Sequence, residues 1–242
     1  MFMNRVCRLS GLVFLAFCPQ LVKRLCFIYL YKFDIGTNTQ IGIVLIDCQQ
    51  FKLGDNSRIS SGTMFWGCKS VCIGKHVNIG VFNLFRGGVR VVIDDYCELL
   101  RLNVLNAIDH TSFKTEPNST FELGYGSVIT AEHRIDFTDK VKIGKNTILG
   151  GRNSSIWTHN RRQGNGVTIG DYCYIGSEVR FAPGSSIPSK CIVGIGSVIV
   201  DSFIAEGQLI AGVPGRHIRW INDRDCELLF DKTRIDLPEQ LL

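Results

Sequence analysis

Nowhere does the sequence hold an apolar run long enough to cross a membrane. The longest stretches, Leu9 to Cys18 and Leu21 to Phe33, are split by Pro19–Gln20, and Lys23 and Arg24 interrupt the second. Neither reaches the ~20 residues that a spanning helix needs. No dense Lys/Arg run occurs. The formal charge is only +5, and the longest cationic cluster is Arg161–Arg162, with Arg216 and Arg219 later. That is short of the footprint of a nucleic-acid binder, so no nucleic-acid partner is expected. The excess suits a polyanionic small molecule or an anionic membrane surface. Proline is scarce, with 6 residues, and the apolar content of 45% is higher than disordered chains carry. The ten cysteines include no Cys-x-x-Cys pair, which argues against the common zinc and redox motifs. They read as buried free thiols in a reducing compartment, hence a cytoplasmic protein. Arg5 and Arg8 resemble the basic region of a signal peptide, but no small-residue cleavage site is clear. Residues 1–34 read instead as two short amphipathic helices broken at Pro19. They either pack on the domain or lie on a membrane surface, in which case residues 1–33 make a peripheral contact with the inner membrane.

What the sequence does hold is a period of six. The unit is an aliphatic residue, then glycine or a small or acidic residue, two variable residues, a small residue and one more. Copies begin at Ile35, Leu53, Ile59, Ile73, Ile93, Leu123 and Ile143, and an unbroken run begins at Ile169, Ile175, Phe181, Ile187 and Val193. A helix has a period of 3.6 and a strand of 2, so six residues fit one short strand plus one turn. Three units make a triangular coil of 18 residues. The aliphatic residue points inward, the small residue fills the corner, and each coil buries a face that it could not bury alone. Deviations from 18 mark where chain leaves the prism. Ile143 to Ile169 is 26 residues, eight more than a coil, and the excess falls near Trp157–Gly166. The segment Arg101–Thr120 is also irregular. Loops on a rigid scaffold are where function concentrates.

The repeat and the closing segment Gly212-Val-Pro-Gly-Arg-His-Ile-Arg219 resemble the left-handed β-helix acyltransferases. Within them the chain is similar to the sugar O-acetyltransferases that act on galactosides and maltose, and to those that decorate capsule, O-antigen or exopolysaccharide sugars. The resemblance covers residues 35–221 and is most specific over 143–221. It implies an all-β, left-handed parallel β-helix with short helical segments at either end, the last in residues 222–242 near Asp223–Asp231. It implies acetyl-CoA as donor, a carbohydrate acceptor and a homotrimer with CoA in a groove between subunits. The family's catalytic histidine sits in a Thr-His or Ser-His setting after a coil, a place held here by Thr158-His159. The pantetheine contacts map to Ser177 and Ile195, and the contacts to the CoA phosphates and adenine to Arg216 and Arg219. Relatives often carry Thr-Lys after the Gly-x-Gly-Ser turn, whose lysine meets a CoA phosphate. This chain has Val200-Asp201, which leaves Arg216 and Arg219 to carry more of the phosphate contact.

Acyl transfer to a hydroxyl needs a base, and imidazole suits that at neutral pH. Among the five histidines, His76 stands at a variable, solvent-facing position of the repeat, His217 lies inside the terminal motif, and His110 lies in the irregular segment. His133 is the reserve base, or a residue that orients the acceptor. Asn153 and Arg161 are candidate acceptor contacts, with Arg152, Glu132 and Asp136 as solvated corner residues or further contacts. No metal is expected, since the three histidines that a γ-type carbonic anhydrase needs do not occur at suitable spacing. Two other functions remain open on the sequence. One is a catalytically silent β-helix scaffold. The other is an N-acetyltransferase of a nucleotide-linked amino sugar, although residues 1–34 are too short for the usual nucleotide-binding domain.

Overall fold

The computed structural model describes residues 5–108, 118–160 and 165–229. Two helices lead, α1 (Arg5–Ala16) and α2 (Gln20–Leu25), and α2 continues into a π-helical turn, Cys26–Leu30. The chain then winds into a parallel β-helix with three faces. The first face contains Arg90–Ile93, Thr120–Leu123, Val141–Ile143, Val167–Ile169 and Ser186–Ile187. The second contains Glu98–Arg101, Val128–Ala131, Ile148–Arg152, Tyr174–Ile175 and Ile192–Val193. The third contains Val104–Asn106, Arg134–Asp136, Ser155–Ile156, Arg180–Phe181 and Val198–Ile199. Strand Met64–Ile73 bends round the corner between the third and first faces and pairs on both.

The register obeys the hexapeptide arithmetic. Ile169 pairs with Ile187, Ile175 with Val193 and Phe181 with Ile199. These positions are all buried, so the aliphatic residue of each unit fills the prism. A row of aromatics continues the core near its start, with Phe33–Phe51 tilted, Phe51–Phe65 edge-on and Phe65–Phe85 stacked, their ring centroids 5.5, 5.3 and 4.6 Å apart. Ile143 pairs with Ile169 directly, so this coil advances 26 residues, eight more than three repeat units need.

The small fifth positions do more than fill corners. Ser127 Oγ donates to Gly144 O (2.6 Å) and accepts from Thr147 N (2.9 Å). Thr147 Oγ1 then donates to Gly170 O (2.8 Å) and accepts from Cys173 N (3.0 Å). Each hydroxyl thus closes the gap to the next coil. Cys97 and Cys173 occupy rungs of this ladder with thiols on Gly124 O and Pro188 O, 3.1 Å each. Burial pushes the Cys173 thiol up to about 12. All ten cysteines stand as free thiols.

A second ladder runs inside the next corner and corrects the reading of His133. Asn103 N donates to Asn83 Oδ1 (3.0 Å), His133 N to Asn103 Oδ1 (3.0 Å), and Ser154 N to His133 Nδ1 (3.1 Å). The imidazole is fully buried, and its Nε2 lies 3.0 Å from Thr130 Oγ1. Both ring nitrogens are committed, so His133 is a rung of the core and cannot reach an acceptor.

The ends are closed by different means. At the start, the carbonyls of the first coil have no preceding coil. Arg24 bonds Gly36 O, Lys23 Nζ bonds Gly42 O (2.6 Å), Gln20 Nε2 bonds Thr39 O (2.9 Å), and Arg8 bonds Cys48 O. Gly36 and Gly42 stand where later coils have Gly74 and Gly80, whose carbonyls are held by Ser57 and Thr63 hydroxyls. The helices therefore supply the missing rungs, which satisfies donors and acceptors that would otherwise be lost. At the other end, strand Arg216–Trp220 folds back antiparallel on Gln208–Ala211. Helix α3 spans Asp223–Cys226 and buries no residue, and residues 230–242 of the expected helical cap lie outside the described residues.

Burial sets a pH signature for the second ladder, because it pushes His133 down to about 4. The unfolded chain binds a proton at ~6.5 that the native core rejects. Stability is therefore full above that value and falls as pH drops from ~6.5 towards 4, by about 3 kcal/mol in all. His133→Asn, which matches its neighbours Asn83 and Asn103, should remove this contribution. Denaturant titrations at pH 7 and 4.5 should show a smaller acid loss in the variant than in the parent chain.

Candidate active site

Register builds the site. Arg134 pairs with Ser155 and Ile135 with Ile156, so Asp136 lies beside the start of the surplus segment. Thr158 is buried, and its Oγ1 donates to Asp136 Oδ1 (2.9 Å) while accepting from Asp139 N (3.0 Å). Thr138 N donates to the same Oδ1 at 3.0 Å. The carboxylate is thereby fixed before the histidine is considered, and its other oxygen, Oδ2, lies 2.7 Å from His159 Nδ1. The Asp136 side chain is 5% exposed and that of His159 38%. A carboxylate can only accept, so Nδ1 carries the proton and, in the neutral ring, Nε2 keeps its lone pair. The arrangement is a buried carboxylate that orients a half-exposed base.

The loop is pinned at both ends by one residue. Asp139 N bonds Thr158 Oγ1, and Asp139 Oδ2 accepts from Asn165 N at 2.7 Å. Asn165 Nδ2 also donates to Asn160 Oδ1 at 2.9 Å. Next to His159 the Trp157 indole is exposed. On the same face, Arg134 and Arg180 are the register partners of Ser155 on either side, and both are exposed.

The other sequence-predicted residues gather elsewhere. Ser177 and Ile195 lie on the corner between the second and third faces, one coil apart, with Gly196 N bonded to Ser177 O at 2.9 Å. Ser177 leans over Gly151, where an added Cβ would fall 1.6 Å from its Oγ, so only glycine leaves room for it. Asn153 occupies the same edge at φ 60, a left-handed conformation that asparagine tolerates. Within one chain, His159 and the Ser177 edge thus flank opposite sides of the third face. Arg216 is exposed and paired with Asp201 at 3.0 Å. Arg219 forks onto Asp225, which this contact draws down to about 2, while Asp225 also caps α3. Arg219 is therefore occupied in fixing the terminal helix. Arg161 and His110 lie outside the described residues. His76 stacks on Tyr96, and His217 Nδ1 meets Gln208 Oε1 at 2.9 Å.

Sequence reasoning missed the role of Asp136 and of Thr158. The signal was present in the register, since stacking Ile135 on Ile156 brings Asp136 to the root of the loop.

No protein-family model matches the chain. Solved enzymes share its fold. The chain superposes on the UDP-N-acetylglucosamine acyltransferase of Campylobacter jejuni with a TM-score of 0.61 and 14% identity, over 81% of this chain and 76% of that one. The fold is that of the left-handed β-helix acyltransferases. The same superposition sets the hand of the coil, an exception to the right-handed crossover rule. A polysialic acid O-acetyltransferase, OatWY, matches this fold with a TM-score of 0.54 and 19% identity, over 78% of this chain and 88% of that one. In sequence, the chain is 30% identical to the galactoside O-acetyltransferase of Escherichia coli K12 over 120 residues, 48% of this chain. The match spans 59% of that relative's length, less than two thirds of it.

The geometry makes a stability prediction. Asp136→Ala would leave the Thr138 N–H without its acceptor and leave the buried Thr158 hydroxyl only the Asp136 carbonyl at 3.1 Å, and should cost roughly 1–3 kcal/mol. His159→Ala should cost less than about 1 kcal/mol, because the ring is half-exposed and holds no other element. Chemical denaturation of the two variants checks the order.

Proposed function

We propose that this protein is an acyltransferase that moves an acetyl group from acetyl-CoA to a hydroxyl of a sugar, in the synthesis of a surface polysaccharide. The observation that carries the reading is the Asp136–His159 contact of 2.7 Å, set at the surplus segment of this fold. A scaffold has no use for a buried carboxylate paired in advance to an exposed imidazole. The likeness to the galactoside O-acetyltransferase supports a hydroxyl rather than an amine as acceptor.

In the reaction, the acceptor oxygen attacks the thioester carbonyl as His159 Nε2 takes the hydroxyl proton. Asp136 stabilises the imidazolium that forms. The C–S bond then breaks, and the imidazolium returns the proton to the departing sulfur. No cysteine nucleophile is required. Trp157 offers a flat face beside the base, suited to a sugar ring. Arg134 and Arg180 lie on the same face and favour an acceptor that carries a carboxylate or phosphate.

The donor fits the Ser177–Ile195 edge, where the corner is open and lined by one hydroxyl and one exposed aliphatic side chain. That edge and His159 flank opposite sides of one face, so the site is completed when a neighbouring copy brings its own edge to this histidine. We read the assembly as a homotrimer working in the cytoplasm, where free thiols persist. Arg216 is the phosphate contact of choice over Arg219. Its pair with Asp201 is exposed and exchangeable, as such surface pairs contribute little.

Two sets of variants test this. His159→Ala should lower turnover of acetyl-CoA with a responsive sugar by roughly 10²–10⁴. Asp136→Asn should do nearly as much. It keeps the oxygen that holds Thr158 and Thr138 but turns an amide towards Nδ1, which places the ring proton on Nε2. Both should bind CoA normally. Turnover near the parent's in both variants sinks the assignment. Separately, Arg216→Ala should weaken CoA about tenfold, the loss of one charge-assisted contact. Asp201→Asn, which frees Arg216, should tighten it. Calorimetric affinities unchanged in both would place the phosphate site elsewhere.

A further inference from the structure

The N-terminal cap is amphipathic in an inverted sense. Its cations face the protein: Lys23 is buried on first-coil carbonyls, and Arg8 and Arg24 bond carbonyls of the same coil. Leu12, Leu15 and Phe27 pack inward with them, but a second set of large apolar side chains faces out. Phe14, Phe17, Leu21 and Tyr29 are 76%, 71%, 68% and 69% exposed, and Val13, Leu25 and Leu30 join them. The face extends into an apolar groove of about 230 Å³ beside α1, lined by Val13, Phe17, Ile43, Val44 and Met64.

Charge says what covers this face. The chain has 27 Lys and Arg against 22 Asp and Glu. Five of those cations, Arg5, Arg8, Lys23, Arg24 and Lys32, and none of the anions precede Asp34. The rest of the chain is balanced, so the whole excess of +5 resides in the capping segment. Arg8 is paired with Asp47 at 3.6 Å and burial pulls the Lys23 ammonium down, but Arg24 binds a carbonyl oxygen, which leaves its charge unneutralised, and Lys32 is exposed. A layer of aromatic and aliphatic side chains on a segment of net positive charge matches the interface of an anionic bilayer, where apolar groups enter the acyl boundary and the charge behind them attracts the surface at a distance. No helix among the described residues is long and apolar enough to cross a membrane, so the contact is one-sided.

We propose that the outer face of α1, α2 and the following turn docks the protein on an anionic lipid surface, with Phe14, Phe17, Leu21 and Tyr29 entering the bilayer. The net positive charge of the segment as a whole supplies the electrostatic attraction. Neither point requires the enzymatic reading.

Flotation of the full chain with vesicles tests it. The protein should float with phosphatidylcholine vesicles containing phosphatidylglycerol, and several-fold less with phosphatidylcholine alone. Added salt should weaken the binding to the anionic vesicles. Phe14→Asp/Phe17→Asp should reduce the floating fraction at least tenfold while the circular dichroism and melting temperature stay those of the parent. The single variant Phe14→Trp provides a second readout that keeps the face apolar. The emission it adds to the parent's should shift to the blue on anionic vesicles and be quenched by brominated acyl chains. A parent chain that stays in solution with both vesicles overturns the proposal, as does an added emission in Phe14→Trp that is indifferent to lipid. If the double substitution changes the mass by light scattering but not flotation, the face joins protein copies and the lipid assignment is wrong.

Discussion

A β-helix coil offers backbone N–H and C=O groups along both of its rims, and each must be matched by the next coil or by something that imitates one. Everything else in this protein follows from that matching. Because Ile135 must sit on Ile156, Asp136 arrives at the root of the loop that carries His159. Because the corner hydroxyls and thiols reach the next coil's carbonyls, fifth positions at the first corner hold Ser57, Cys97, Ser127, Thr147 and Cys173. Because the first coil has no predecessor, lysine, arginine and glutamine from two helices take the places of the missing rungs.

The same constraint separates core polarity from catalytic polarity. His133 and His159 differ in what surrounds them rather than in type. His133 is held inside the prism by a backbone donor and a threonine hydroxyl, and burial keeps it neutral. His159 stands half-exposed in a coil with eight surplus residues and meets a carboxylate through Nδ1. One imidazole has spent both nitrogens on structure, and the other has one left for chemistry.

The six-residue period made the prism, its inward aliphatic positions and its surplus loop legible in the sequence, because each is a one-dimensional count. His159 was legible from that surplus together with the Thr-His setting that the family resemblance implies. The role of Asp136 was missed, since it emerges only when Ile135 is paired with Ile156 across a coil longer than 18 residues, which brings Thr158 onto its carboxylate. His133 misled because a polar residue in a turn-like context reads as exposed, whereas this corner has an internal ladder that prefers polar rungs. The pairing of Arg219 with Asp225 was likewise invisible, because it follows from how the last strand folds back. The cap was legible as two amphipathic helices, but not its polarity, since the need for cations inward arises only once the open end of the prism exists.

The central claim is that Asp136 fixes the proton of the neutral His159 ring on Nδ1 and leaves Nε2 free as the base. Imidazole nitrogen NMR on histidine-labelled protein reads this directly, with His159→Ala assigning the resonance. The account predicts a protonated Nδ1 and a bare Nε2 in the neutral ring, with the two exchanging roles in Asp136→Asn. A neutral ring with its proton on Nε2 in the parent chain would contradict it.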